Sequence, residues 1–299
     1  MTSNGVDTLA VEMVGVTKRF RSGVAVDDMN LTIPRGTTLG LIGPNGAGKT
    51  TTVRILMGTL APTAGHVRVL GMNAATIRHR VGYVPERHDI YPWMTVAEAI
   101  SFTATFYPTW DAGYCRELLD LFALDVRKRV KQLSKGMLVK LGLLLAVSHR
   151  PELLILDEPT SGLDPIVHDD FLEAFVRSIC GRGTTVLYSS HNLEDIRRLA
   201  DSVCILRAGK ILVHSGVDEL LASVKRIRVV LIDGQLPQWV PDGTLAQRIQ
   251  NREWLLTVGH FDTTVANRLK AENPVESLDV FDLTLGELFK DYILGEVAL

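Results

Sequence analysis

The sequence predicts an α/β fold with a mainly parallel sheet, and three observations carry that expectation. Short apolar runs alternate with segments of helical periodicity between TTLGLIG at 37–43 and TTVLYSS at 184–190, the pattern of a sheet covered by helices on its faces. The first of those runs opens directly into a glycine-rich loop and then into an amphipathic segment, as a strand–loop–helix unit does. The N-terminal stretch alternates apolar and polar residues instead, which predicts antiparallel strands.

Taken in order, LAVEMVGVTKRF (9–20) and VAVDDMNLTIPRG (24–36) form the antiparallel N-terminal β part. TTLGLIG is a buried strand, TTVRILMGTL (51–60) the helix after it, and HVRVLG (66–71) and VGYVPE (81–86) are further strands. From about 88 to 152 the character turns helical, with apolar residues at i, i+3 and i+4 in VAEAISFTATFY (96–107) and YCRELLDLFALDVRKRV (114–130). This reads as a helical subdomain inserted in the sheet. Strands resume with LLILD (153–157) and TTVLYSS, then SVCILRAGKILVHSG (202–216), a hairpin turning at Ala208-Gly209. RIRVVLID (226–233) and REWLLTVG (252–259) predict two strands, FDTTVANRLKAE (261–272) and LTLGELFKDYIL (283–294) two helices. The domain boundary is placed at 1–222 and 223–299, the latter a small C-terminal α+β domain in which Trp239 and Trp254 are core residues.

Bulk properties exclude several classes. The 299 residues carry a net charge of −2, 46% hydrophobic and 22% charged residues, an ordinary globular profile with no basic footprint for nucleic acid. Cys115, Cys180 and Cys204 form no pattern and read as reduced, mostly buried thiols of a cytosolic protein. The N-terminal residues lack a signal segment, and LGLLLAVS at 141–148 is too short to span a bilayer. A role at a membrane therefore requires a partner.

Two motifs carry chemistry. GPNGAGKTT, formed by Gly43, Pro44, Asn45, Gly46, Ala47, Gly48, Lys49, Thr50 and Thr51, matches the phosphate-binding P-loop. Its backbone N–H groups surround phosphate oxygens, Lys49 reaches the β and γ phosphates of ATP, and Thr50 offers a hydroxyl to Mg²⁺. A glycine turn with no ligand is the bland alternative. LLILDEP (153–159) ends an apolar strand in two acids. Asp157 is placed to hold Mg²⁺ and Glu158 to orient or deprotonate the attacking water.

With these motifs on the page, the chain resembles the ATP-binding subunits of ABC transporters over about residues 9–220. The resemblance implies a P-loop NTPase core and assigns further residues. SGLD (161–164) resembles the D-loop, with Asp164 crossing a dimer interface; SSHNLED (189–195) resembles the switch region, with His191 against the γ-phosphate. Phe20 falls where the family stacks an aromatic on adenine. LSKGM (133–137) occupies the place of the LSGGQ signature, so that Ser134 and Gly136 close over the ATP of a second subunit. It departs in Lys135 and Met137, and Glu86 stands where the family has Gln, at a position that meets Mg²⁺ and the water. A plain Ser helix cap is the bland reading of Ser134, and a structural histidine that of His191. If Lys135 stood at φ > 0, it would cost roughly 1 kcal/mol.

PE at 85–86 with an appended C-terminal unit most resembles the ABC-2 type exporters. The resemblance implies transmembrane transporter subunits and a second copy or paralogous ATPase subunit as partners, no nucleic acid, and a place on the inner face of the cell membrane. Tyr91 and Trp93 read as interface residues for the membrane partner, while Phe102 and Phe106, four apart, read as core. Two rival readings are a soluble ABC-type ATPase without a transporter and a regulatory subunit with weak turnover.

Overall fold

Strand pairing begins at the N-terminus, where β1 (Leu9–Phe20) lies antiparallel to β2 (Gly23–Pro34), with Leu9 opposite Pro34 and Phe20 opposite Gly23. The alternation noted in the sequence puts Val11, Met13 and Val16 of β1 and Met29, Leu31 and Ile33 of β2 inside. The computed structural model describes residues 8–87, 89–179, 183–232 and 235–295. Cys180 lies outside them; Cys115 and Cys204 are free and buried.

The next elements are β3 (Thr38–Ile42), α1 (Lys49–Leu56), β4 (Ala64–Val69) and β5 (Val81–Val84). β4 completes a three-stranded antiparallel sheet of order β2-β1-β4. Three helices follow, α2 (Val96–Ala104), α3 (Ala112–Leu121) and α4 (Lys135–Val147), and they make up the helical insertion. Then come β6 (Leu153–Asp157), α5 (Pro165–Ile179), β7 (Thr185–Ser189), α6 (Leu193–Leu199), β8 (Ser202–Arg207) and β9 (Lys210–Gly216). The six-stranded sheet has the order β5-β6-β7-β3-β8-β9, and β5, β6, β7, β3 and β8 pair in parallel. β6 and β7 are buried at every position, which is why neither alternates apolar and polar residues. The turn between β8 and β9 has Ala208 at φ 49° and Gly209 at φ 81°, the two left-handed residues a tight hairpin needs.

Two expectations for this part need correction. The helix predicted over 114–130 stops at Leu121, because Ala123 takes φ 51° and the Asp125 carboxylate accepts the Arg127 N–H in a local turn. The turn that follows lies against 94–97, with Val96 N–H donating to the Lys128 carbonyl, Val130 N–H to that of Met94, and Arg129 bridging Thr95. Phe102 and Phe106 are not core: they are 44% and 62% exposed. They continue a surface aromatic cluster in which ring centroids lie 4.9 Å apart for Tyr91–Trp93, 5.8 Å for Tyr91–Phe102 and 5.2 Å for Phe102–Phe106.

The chain divides into two compact units, Met1–Val213 and His214–Leu299. In the second, α7 (Val217–Ser223), β10 (Lys225–Leu231), β11 (Thr244–Gln250), β12 (Glu253–Val258), α8 (Thr263–Glu272), β13 (Val275–Asp282) and α9 (Leu285–Leu294) build a four-stranded antiparallel sheet of order β11-β12-β10-β13 with helices. The two strands expected there are the central pair. The two that the sequence did not announce are the edges, and β13 is exposed at most positions, so it lacks an apolar stripe. Trp254 is fully buried among Ile227, Val229, Leu256 and Leu269, and Trp239 packs on that cluster with the Arg268 guanidinium 4.3 Å from its ring.

Candidate nucleotide-binding site

The carboxyl ends of four neighbouring parallel strands supply the predicted groups. β3 runs into the loop Gly43–Gly48, β5 leads to Glu86, β6 ends in Asp157, and β7 is followed by Ser190 and His191. Such an edge is where open α/β sheets bind ligands.

The loop is shaped by what its glycines allow. Gly46 and Gly48 have φ 78° and 107°. A Cβ on Gly48 would stand 2.4 Å from the Ala25 carbonyl oxygen, and one on Gly43 2.6 Å from that of Leu206. Ala47 N–H donates to the Pro44 carbonyl at 3.1 Å, and the Ala47 carbonyl accepts the Gly209 N–H at 3.0 Å, which closes the loop over the start of α1. Pro44, Asn45, Gly46 and Thr50 are exposed, and Thr51 half-buried, along the mouth.

Lys49 is buried. Its Nζ donates to the Gly43 carbonyl at 2.7 Å and lies 3.5 Å from Glu158 Oε1. The other oxygen of Glu158 lies 2.6 Å from His191 Nδ1 and accepts the His191 backbone N–H at 3.1 Å. The three predicted groups, Lys49, Glu158 and His191, thus share one carboxylate at the mouth of the loop. Glu158 stands at φ 52°, a left-handed backbone that costs a non-glycine residue about 1 kcal/mol and that turns its side chain out of the strand toward the loop. Asp157 is 2% exposed, with the Ser189 hydroxyl donating to it at 3.1 Å. Burial, followed by the negative charges of Glu158 and Glu86, pushes its carboxyl up, against the opposing pull of Ser189 and Lys49.

The other predicted residues lie outside this group. Phe20 is exposed at the end of β1, with Lys18 Nζ 5.3 Å from its ring centre. Ser134 caps α4, accepting the Met137 N–H at 3.3 Å. The bland reading of Ser134 is therefore correct as far as this chain goes, and it leaves the residue exposed. Lys135 is the first residue of α4 and carries no positive φ, so the backbone cost considered for it does not arise. Gly136 is needed for packing within the chain, since a Cβ there would lie 2.1 Å from a Val167 methyl. Asp164 accepts the Val167 N–H at 3.1 Å at the start of α5.

Sequence reading missed a buried network behind the switch. Asp195, fully buried on α6, accepts from Thr160 at 3.1 Å and Tyr188 at 3.2 Å and lies 2.9 Å from His168 Nε2. His168 also lies 3.2 Å from Asn192 Nδ2. Its one trace in the sequence was the second acid of SSHNLED, which in the first turn of α6 reads equally well as a solvated charge at a helix N-terminus. Ser189, the partner of Asp157, was visible only as a polar residue closing an apolar strand.

Residues 26–161 match the family model described as ABC transporter. The chain is 38% identical over 222 residues to the uncharacterized ABC transporter ATP-binding protein YhaQ of Bacillus subtilis, covering 72% of this chain and 74% of that one. It is 35% identical over 254 residues to the Nod factor export ATP-binding protein I of Paraburkholderia xenovorans, covering 82% and 83%. A solved structure described as the ATP binding subunit of an ABC transporter superposes with a TM-score of 0.64 at 30% identity, over 70% of this chain and 91% of that one.

Proposed function

The chain belongs to the ABC transporter family, among its ATP-binding subunits, and from that premise we propose how its residues bind and hydrolyse ATP. The observation that carries the reading is the single carboxylate of Glu158 held between Lys49 at 3.5 Å and His191 at 2.6 Å, at the mouth of the glycine loop.

ATP lies with its phosphates along Gly43–Thr51 and its adenine on Phe20, where stacking needs an exposed aromatic face. Lys49 turns from Glu158 to the β and γ phosphates. Glu158, relieved of that partner, takes the proton of the attacking water; the oxygen of the water joins the γ-phosphorus as the bond to the β–γ bridging oxygen breaks. His191, already bonded to Glu158, steadies the carboxylate and meets the γ-phosphate. Thr50, Asp157 and Glu86 form an oxygen donor set suited to Mg²⁺, and the Asp157 carboxyl, pushed up by burial, gains from a cation. Among the described residues no three His, Cys, Asp or Glu cluster into a metal cage, and an ion shared with substrate phosphates requires none. When bound, Mg²⁺ neutralises charge on the phosphates.

Each chain carries one set of motifs. We therefore assign Ser134, Gly136 and Asp164 to the nucleotide of a second copy or a paralogous subunit, in an ATP-driven sandwich dimer. Residues 1–222 are the ATP-binding domain and 223–299 an accessory domain; that boundary falls before the last residue of α7, whereas the division into compact units precedes the helix. Among the described residues no helix is long and apolar enough to cross a membrane. The exposed Tyr91, Trp93, Phe102 and Phe106 are assigned to docking on transmembrane subunits, which places the protein on the inner face of the membrane. Likeness to the Nod factor export protein supports export as the direction.

The test is light scattering of Glu158→Gln with and without ATP, beside Glu158→Gln/Ser134→Arg. An ATP-dependent doubling of mass that Ser134→Arg abolishes is expected. A chain that binds ATP and stays monomeric would overturn the homodimer.

A further inference from the structure

Lys135 is the residue by which LSKGM departs furthest from its family pattern, and the structure gives its side chain a definite place. Its ammonium donates to the Ser161 carbonyl at 2.6 Å, across a separation of 26 residues. Ser161 belongs to the turn that follows Glu158, and its own N–H donates to the Glu158 carbonyl at 3.1 Å. Two hydrogen bonds therefore join the first residue of α4 to the backbone of Glu158. Gly162 makes room for the contact: it takes φ 65°, and a Cβ there would lie 2.6 Å from the Lys135 nitrogen.

The attachment has support on both sides. One residue further on, Gly136 seats against Val167, and one turn beyond, the buried Lys140 pairs with Asp170. These contacts hold the start of α4 to the start of α5, so Lys135 is the part of that seam which reaches the turn itself. Glu158 stands in a strained backbone conformation, where small changes in its neighbours re-aim the carboxylate relative to Lys49 and His191.

We propose that Lys135 is a positioning residue that links the loop closing over the partner's ATP to the turn carrying Glu158 of the chain's own site. The inference rests on the roles given above to Ser134 and Glu158. Each nucleotide in the dimer touches one chain's Glu158 and the other chain's Ser134. A tether from α4 to the Glu158 turn therefore makes each site sense whether the other is filled. The coupling is local, along named hydrogen bonds, and predicts cooperativity in ATP.

The experiment compares Lys135→Met, which keeps length and loses the donor, with Lys135→Arg, which keeps a donor. In the nucleotide-free full chain, hydrogen exchange of the 160–164 amides is expected to speed up about tenfold in Lys135→Met and to stay near wild type in Lys135→Arg. In steady-state hydrolysis, kcat of Lys135→Met is expected to fall about tenfold with KM within about twofold, and its Hill coefficient to drop toward one, with Arg restoring both.

In the Glu158→Gln background Lys135→Met should still double in mass with ATP, unlike Ser134→Arg. Wild-type exchange and a wild-type Hill coefficient in Lys135→Met would overturn the proposal. So would loss of ATP-dependent doubling, which would make Lys135 a direct contact to the partner's nucleotide. If the wild-type chain neither hydrolyses ATP nor dimerises, the proposed function fails while the exchange measurement still decides the tether.

Discussion

Each of the two units buries a group of charged side chains, and the two groups are built differently. In the second unit Arg226 lies 2.8 Å from Asp291 and 3.3 Å from Glu287, and the Thr257 hydroxyl donates to the fully buried Asp291. Those charges answer one another, and the result pins α9 to the sheet. In the first unit Lys49 is 3.5 Å from Glu158, a loose pair, while Asp157 has one hydroxyl donor and a carboxyl driven up by burial. A group matched by its own chain serves structure. One left short of partners at the open end of a sheet is poised for a ligand.

The contrast can be broken in order of expected effect. Glu158→Gln should cut ATP hydrolysis about a thousandfold, the scale of a lost general base, with ATP binding retained and the melting temperature not lowered; phosphate release and calorimetry measure both. Arg226→Met should do the reverse, costing about 3 kcal/mol because it strands a buried carboxylate. Thermal unfolding would show it, with hydrolysis per folded molecule unchanged. If Arg226→Met instead abolished hydrolysis and left stability intact, the division between the two groups would be wrong.

His149 sharpens the comparison from a third direction, as a buried group kept uncharged. It stacks on Tyr107 at 3.9 Å, neither ring nitrogen has a hydrogen-bond partner among the described residues, and burial pulls its pKa down to about 4. As pH falls below 6.5 the unfolded chain takes up this proton first, so stability present at neutral pH is lost progressively down to about 4. The loss at pH 5 should be about 1–2 kcal/mol. His149→Phe, which keeps the stack, should flatten the melting temperature between pH 7 and 5 relative to wild type.

The smallest effect on stability belongs to Asp157→Asn. Since the folded carboxyl is pushed above its unfolded value, its charge penalises the folded state at pH 7, and the penalty fades in acid. The variant should melt slightly higher at pH 7, converge with wild type below the usual carboxylate range, and lose Mg²⁺-dependent hydrolysis.

The parallel strands were legible in the sequence because burial on both faces removes the apolar–polar alternation of a half-exposed strand, as in LLILD and TTVLYS. The edge strands β11 and β13 were not, since an edge needs no apolar stripe. The helix over-extended past Leu121 shows the opposite error, where periodicity continued but one left-handed residue, Ala123, ended the helix. For the site, Lys49, Asp157 and Glu158 were fixed by motif spacing. The Thr160–Asp195 and Lys135–Ser161 bonds join residues 35 and 26 apart in the chain, and no local pattern announces such a meeting. Phe102 and Phe106 misled because spacing on a helix tells which residues share a face, not whether anything covers it.

The left-handed backbone at Glu158 sets two selective pressures against each other. Glycine at 158 would release about 1 kcal/mol of strain and remove a half-buried charge, at the expense of the group proposed to take the proton from water. A library of this gene screened for heat resistance alone should therefore enrich replacements at position 158 that leave the chain robust and inert. Screening for turnover should retain the acid, so this one codon reports which demand a lineage has been under.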